Sequence, residues 1–190
     1  MSILKIAHMG HPVLRTHATA IDPADIESSR VQQLIDDMLE TMAEYQGVGL
    51  AAPQVHVPLR LFVAGFPPPS TPAADAAEPQ DEAERVPLMV LINPEITAVG
   101  AATTDAWEGC LSIPDIRGKV TRAADIRVKA WDRKGRRIEV RAKQFTARVI
   151  QHETDHLDGV LFFDRMKSFE TLTFLEEFSR YWHERDVPEE

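Results

Sequence analysis

The chain of 190 residues reads as one mixed domain of helices and antiparallel strands. Three observations predict this. Val31, Leu34, Ile35, Met38, Leu39 and Met42 recur at helical spacing. Ile126, Val128 and Ala130, then Ile138, Val140 and Ala142, alternate with polar residues around the turn Asp132-Arg133-Lys134-Gly135, the pattern of an antiparallel hairpin. The stretch Gln151-His152-Glu153-Thr154-Asp155-His156 adds a helix whose two histidines, four apart, share one face.

The bulk numbers bound the rest. Hydrophobic residues are 44% of the chain and charged residues 27%, as expected of a globular protein with a real core. The formal charge of -9 argues against a nucleic-acid-binding face. No apolar run approaches a membrane helix, and the start Met1-Ser2-Ile3-Leu4-Lys5 lacks a signal-peptide layout, so a cytoplasmic protein is expected. The sole cysteine, Cys110, cannot close an internal disulfide; it is a buried small hydrophobe, a reactive thiol or a metal ligand.

Taken in order, His11-Pro12-Val13-Leu14-Arg15 and Asp22-Pro23 predict turns and extended chain, and His8, His11 and His17 have no common spacing. Ser29 and Gln32 have capping-box spacing and open the first helix, which should stop at Gln46-Gly47. Gly47-Val48-Gly49-Leu50-Ala51-Ala52-Pro53-Gln54 follows. It lacks the features of a phosphate loop, and spacing alone favours a small-residue packing turn after the helix stop. Gln54 there is a neutral amide able to donate to a developing oxyanion. Leu59 to Val63 is a short strand; residues 65–87, rich in proline, alanine and acid, form an expected surface insertion. Leu88 to Ile92 is a buried strand ended by Asn93-Pro94, with extended chain to Thr104. Trp107 to Pro114 is strand-like, Gly109 permits close backbone approach, and Pro114 should end pairing. The charged tip around Arg133 should be solvated. Thr146 can start the histidine helix and Gly159 stop it; Val160 to Phe163 is a short strand; Ser168 caps a last helix striped by Leu172, Leu175, Phe178 and Trp182.

The His-Glu-x-x-His stretch carries the chemistry. Two imidazoles on one helical face can ligate one metal ion, and Glu153 is placed to act as general base on a bound water. Beside such a helix a sole cysteine is the natural third ligand, because a thiolate and two neutral imidazoles leave one coordination position open. The alternative for Cys110 is a structural thiol in a strand.

Three blocks, in order, resemble the peptide deformylases: Gly47 to Gln54, Glu108 to Ser112 and Gln151 to Leu157. His11 to Arg15 and Leu91 to Pro94 are also similar to the family, so the likeness runs from about Ile3 to Met166 outside the insertion. The resemblance implies an α+β fold with antiparallel sheets around a central metal-binding helix. It implies one catalytic domain over 1–190, carrying the insertion and a C-terminal helix from about 168. It implies a metal-dependent hydrolase that removes the formyl group from the formyl-methionine of nascent polypeptides. The ligands carry over to Cys110, His152 and His156, with Fe(II) expected and Zn, Ni or Co able to substitute; Glu153 is the base, and Gln54 with the Leu111 N–H stabilises the oxyanion. Val48, Gly49 and Gly109 are placed along the peptide, and Val48 with Val149 and Phe145 at a methionine pocket. Transient ribosome contact is known in the family through a basic C-terminal helix. Here Glu170 to Glu190 is acidic, which predicts weak or different association.

Two other readings make distinct predictions. A zinc metalloprotease would cleave internal amides, but usually takes a third His or Glu further along, and no histidine follows His156 before His183. A silent peptide-end-binding module would hold metal without turnover, although every expected reactive residue is present.

Overall fold

The computed structural model describes residues 2–66 and 86–182. The body of the expected insertion and the acidic end from His183 onward lie outside the described residues.

In chain order the elements are α1 (Ser29–Glu44), β1 (Gly49–Ala51), β2 (Leu61–Ala64), β3 (Met89–Ala98), β4 (Thr103–Cys110) and β5 (Ile113–Ala123). They continue as β6 (Asp125–Trp131), β7 (Arg137–Lys143), α2 (Gln144–Leu157), β8 (Thr173–Phe174) and α3 (Leu175–Tyr181). Five strands form one antiparallel sheet in the order β1-β2-β3-β6-β7, and three form a second in the order β4-β5-β8. The architecture is α+β, as expected, with α2 touching strands of both sheets.

The five-stranded sheet is buried on both faces at its centre. Successive side chains of a strand point to opposite faces. On β2, Phe62 and Ala64 accordingly join the core beneath α2 with Ala147, Ile150 and Leu157, while Leu61 and Val63 join the core beneath α1 with Ile35 and Met38. A third apolar group, including Leu14, Ile113, Val120 and Phe162, holds the three-stranded sheet to the N-terminal segment and surrounds Cys110.

Several elements differ from expectation for identifiable reasons. Ser28, not Ser29, caps α1, its Oγ accepting from Val31 N at 3.4 Å. Gln32 closes no capping box: its Nε2 donates to the carbonyls of Ile26 and Arg133 at 2.9 and 2.8 Å. That bond draws the hairpin tip onto α1, where Arg133 also pairs with Asp36, so the tip is docked, not merely solvated. Asn93-Pro94 does not end β3; Asn93 takes φ 50° at a bulge and the strand resumes at Glu95. Pro114 does not end pairing either: it is the second residue of β5. The apolar run at Val160 is no strand; a 3-10 turn over Phe162–Arg165 buries Phe162 alone in the turn. The last helix starts at Leu175, not near Ser168, because Thr173 and Phe174 first pair with β5.

Candidate metal centre and catalytic cleft

The helix α2 has no side-chain cap at its start. Gln144 instead takes φ 49°, directly after β7, and its N–H donates to Ala124 O at 2.9 Å. At the other end Gly159, with φ 72°, turns the chain away. The fourteen residues between present His152 and His156 one turn apart, with ring centroids 5.0 Å apart and planes at 80°. Cys110, the last residue of β4, brings its Sγ to 3.2 Å from His156 Nε2. The ligand atoms of Cys110, His152 and His156 all lie within 4.8 Å of one another. A tetrahedral ion with bonds of about 2.0–2.3 Å would hold its ligands roughly 3.3–3.7 Å apart, so the three fit one ion after small shifts.

The second nitrogen of His152 is committed. Its Nδ1 lies 2.9 Å from Glu108 Oε2, and a carboxylate can only accept, so Nδ1 carries the proton and Nε2 is left as ligand. Burial would raise the Cys110 thiol, but His156 and His152 outweigh it and hold the thiol well below its ordinary value. A thiolate is the ligating form. These shifts describe the centre before an ion joins it.

Glu153 lies on α2 between the two histidines in sequence and is 4% exposed. Burial pushes its carboxyl up to about 7, even though both histidines pull the other way. Its Oε2 is buried and finds no hydrogen-bond partner. Such an oxygen is costly unless something else occupies the cleft beside it. Gly49 backs directly onto this carboxylate, where a Cβ would overlap Glu153 Oε1.

Gln54 sits in the 3-10 turn after β1, with Ala52 and Pro53. Only an oxygen can accept from the Ala51 N–H, so Oε1 takes that bond at 2.8 Å. The amide nitrogen therefore faces the centre, 3.5 Å from Cys110 Sγ and 3.2 Å from Ser112 Oγ. Leu111 occupies the turn between β4 and β5 and lines the same cleft. The cleft is about 390 Å³, and its walls include Val48, Gly49, Gly109, Phe145 and Val149. The residues singled out from the sequence as catalytic, ligating or substrate-binding are thus brought to one place. β1 and β4, each an outer strand of its sheet, flank it.

A family model described as polypeptide deformylase matches residues 3–171. The chain belongs to the peptide deformylase family. The family's members are enzymes that remove the N-terminal formyl group from nascent proteins. The chain is 45% identical over 168 residues to peptide deformylase 1 of Prochlorococcus marinus, covering 87% of this chain and 82% of the relative. It is 41% identical over 175 residues to the chloroplastic/mitochondrial peptide deformylase 1A of Arabidopsis thaliana, covering 90% of this chain and 65% of the relative. Among solved structures it resembles a class I type b peptide deformylase of Acinetobacter baumannii, with TM-score 0.75 and 35% identity, over 87% of this chain and 100% of that one. A peptide deformylase of Synechococcus elongatus solved with actinonin gives TM-score 0.75 and 34% identity, over 95% and 86% of the two chains. No described helix is long and apolar enough to cross a membrane.

Within this deformylase architecture, a buried ionic network that the sequence reading did not assign surrounds His152. Arg122 of β5 grips Glu108 with two bonds, Nε to Oε1 at 2.9 Å and Nη2 to Oε2 at 3.0 Å, and reaches Asp155 of α2 at 2.5 Å. Arg148 of α2 adds a bond to Glu108 Oε1 at 2.7 Å. Burial would raise the Glu108 carboxyl, but His152 and Arg122 hold it well below the usual range. One signal was available: Arg148 stands among the apolar residues Ala147, Val149 and Ile150 in the first half of α2, and a buried guanidinium requires a carboxylate partner. Nothing in the spacing named Glu108 as that partner.

Proposed function

We propose that deformylation in this chain runs at the Cys110–His152–His156 centre, with Glu153 as general base. The observation that carries the assignment is the unpartnered Glu153 oxygen, buried beside three converging ligand atoms at the foot of an open cleft. A divalent ion held by the three residues would polarise the formyl oxygen and bring the pKa of a bound water near neutrality. We assign Fe(II), with Zn, Ni or Co able to substitute; the donor set of one thiolate and two imidazoles suits each of them.

The chain's own groups do the remaining work. Glu153, buried beside the three ligands, accepts a proton from the water that attacks the formyl carbon and returns it to the leaving amine. Gln54 Nε2, its direction imposed by Ala51, donates to the formyl oxygen as negative charge builds. The backbone N–H of Leu111 is the second donor in this reading. Formate and a free amino terminus leave. The peptide's main chain lies between the outer edges of β1 and β4, near Gly49 and Gly109, and the methionine side chain enters between Val48, Val149 and Phe145. Main-chain pairing tolerates varied sequence, which suits an enzyme acting on many nascent chains. We place this activity in the cytoplasm, with weak ribosome association, because Glu176 and Glu177 of α3 would face like charge on ribosomal RNA.

Formate release from a short formyl-methionyl peptide tests the assignment, using protein loaded anaerobically with Fe(II). Rapid release by the parent and near-silence in a metal-retaining Glu153→Ala variant are expected. Cleavage of internal amides without formate release would replace this reading by a protease.

A further inference from the structure

The three ligands come from two elements: Cys110 from β4, and His152 and His156 from α2. Something must hold that strand and that helix at a constant separation. Arg148 lies one turn before His152 on α2, so the two share a face. Both clasp the same carboxylate, Glu108, two residues before Cys110 on β4. The Arg148 guanidinium also donates to Val120 O and Thr104 O, each at 2.8 Å, and to Ala106 O at 3.4 Å. It therefore reaches from the helix to β4 at three successive inward positions and to β5 beside it. Its side chain is 5% exposed and that of Glu108 4%.

We infer that Arg148 is a positioning residue for the metal centre, acting through Glu108 to clamp the ligand-bearing helix to the ligand-bearing strand. The inference rests on the metal-centre reading above. Arg122 meets the same carboxylate from β5 and touches the helix only further along, at Asp155, so Arg148 is the guanidinium that binds Glu108 from the helix itself, one turn from His152. A planar fork is required, since one ammonium on a lysine stem cannot meet Glu108, Val120 and Thr104 together. Glu108 bound by a single guanidinium would still accept from His152, but at a less constant angle.

The test is Co(II) binding measured by chelator competition, together with the visible absorption of the cobalt complex. Arg148→Met is expected to weaken Co(II) binding by about 10- to 100-fold and to shift the thiolate and ligand-field bands. Arg148→Lys should fall between parent and Met. Arg165→Met is the control: it removes an arginine that pairs with Asp155 of α2 from the half-exposed side, and should stay within about twofold of the parent. If Arg148→Met does not fold, Arg148→Lys carries the test. Parental affinity and spectrum in the folded Arg148 variants would overturn the inference. So would an equal loss in Arg165→Met, which would mark general loosening of the helix. A parent that binds no Co(II) would overturn the metal-centre reading itself.

Discussion

Gly49 has no side chain at the point where one would drive into the Glu153 carboxylate, and that contact is with a group that cannot move without leaving its place as base. Gly49→Ala is therefore expected to lower kcat/KM by about a hundredfold, the cost of misplacing a catalytic group by an ångström or so. Its metal content, read by elemental analysis, should be unchanged. Gln54 is set by a different device. Its acceptor is consumed by Ala51, so only the donor faces the centre. Gln54→Ala should lower kcat by about two to three powers of ten with metal affinity largely kept. Steady-state kinetics and chelator competition on the same preparations would check both. These residues could be picked out in the sequence because their blocks are contiguous. Glu108 was only one letter of such a block, for its partner His152 lies 44 residues away and no periodicity connects them.

The helix α2 is fastened along its length by groups that mimic backbone. Gln151 donates from Nε2 to Ala123 O at 3.0 Å and accepts at Oε1 from Ala123 N at 3.1 Å, the reciprocal pair a strand would make. Gln151→Ala leaves both groups of Ala123 short of a partner and should cost about 1–3 kcal/mol in urea unfolding of the metal-free protein. After the helix, Asp164 joins Arg15 and the Leu161 N–H. Burial raises its carboxyl, but those partners hold it below the usual value. Because the folded value is the lower one, the stability it contributes is fully present above pH about 4 and is lost as pH falls through the folded value. Asp164→Asn should flatten that acid limb in pH-dependent unfolding. Pattern reading located α1, α2 and the β6–β7 hairpin because each carries its own period. It missed β5, where Pro114, Arg117, Gly118 and Lys119 interrupt any apolar alternation and pairing with β4 imposes the strand. It took Val160 to Phe163 for a strand since a four-residue apolar run does not distinguish a strand from a turn that buries one ring.

At the level of the whole molecule, ligands from both layers tie metal binding to stability. An ion bound only by the folded state adds about 2.7 kcal/mol at a free concentration one hundred times its Kd. Stripping with a chelator should lower the midpoint of thermal unfolding accordingly, and zinc, which avoids oxygen chemistry, should restore it in calorimetry. The general architecture was visible in the sequence because three short blocks fall in order along it. The joining of α2 to the three-stranded sheet was not, since it depends on buried charges whose partners are distant in the chain. The outer edges of β1 and β4 carry a further consequence. A strand edge left open to receive any main chain is also open to the main chain of another copy, the usual beginning of aggregation. Here β1 is only three residues long, and a formal charge of -9 keeps copies apart. The shortness that prevents self-pairing also limits how firmly any client is gripped, which favours rapid release of each finished chain.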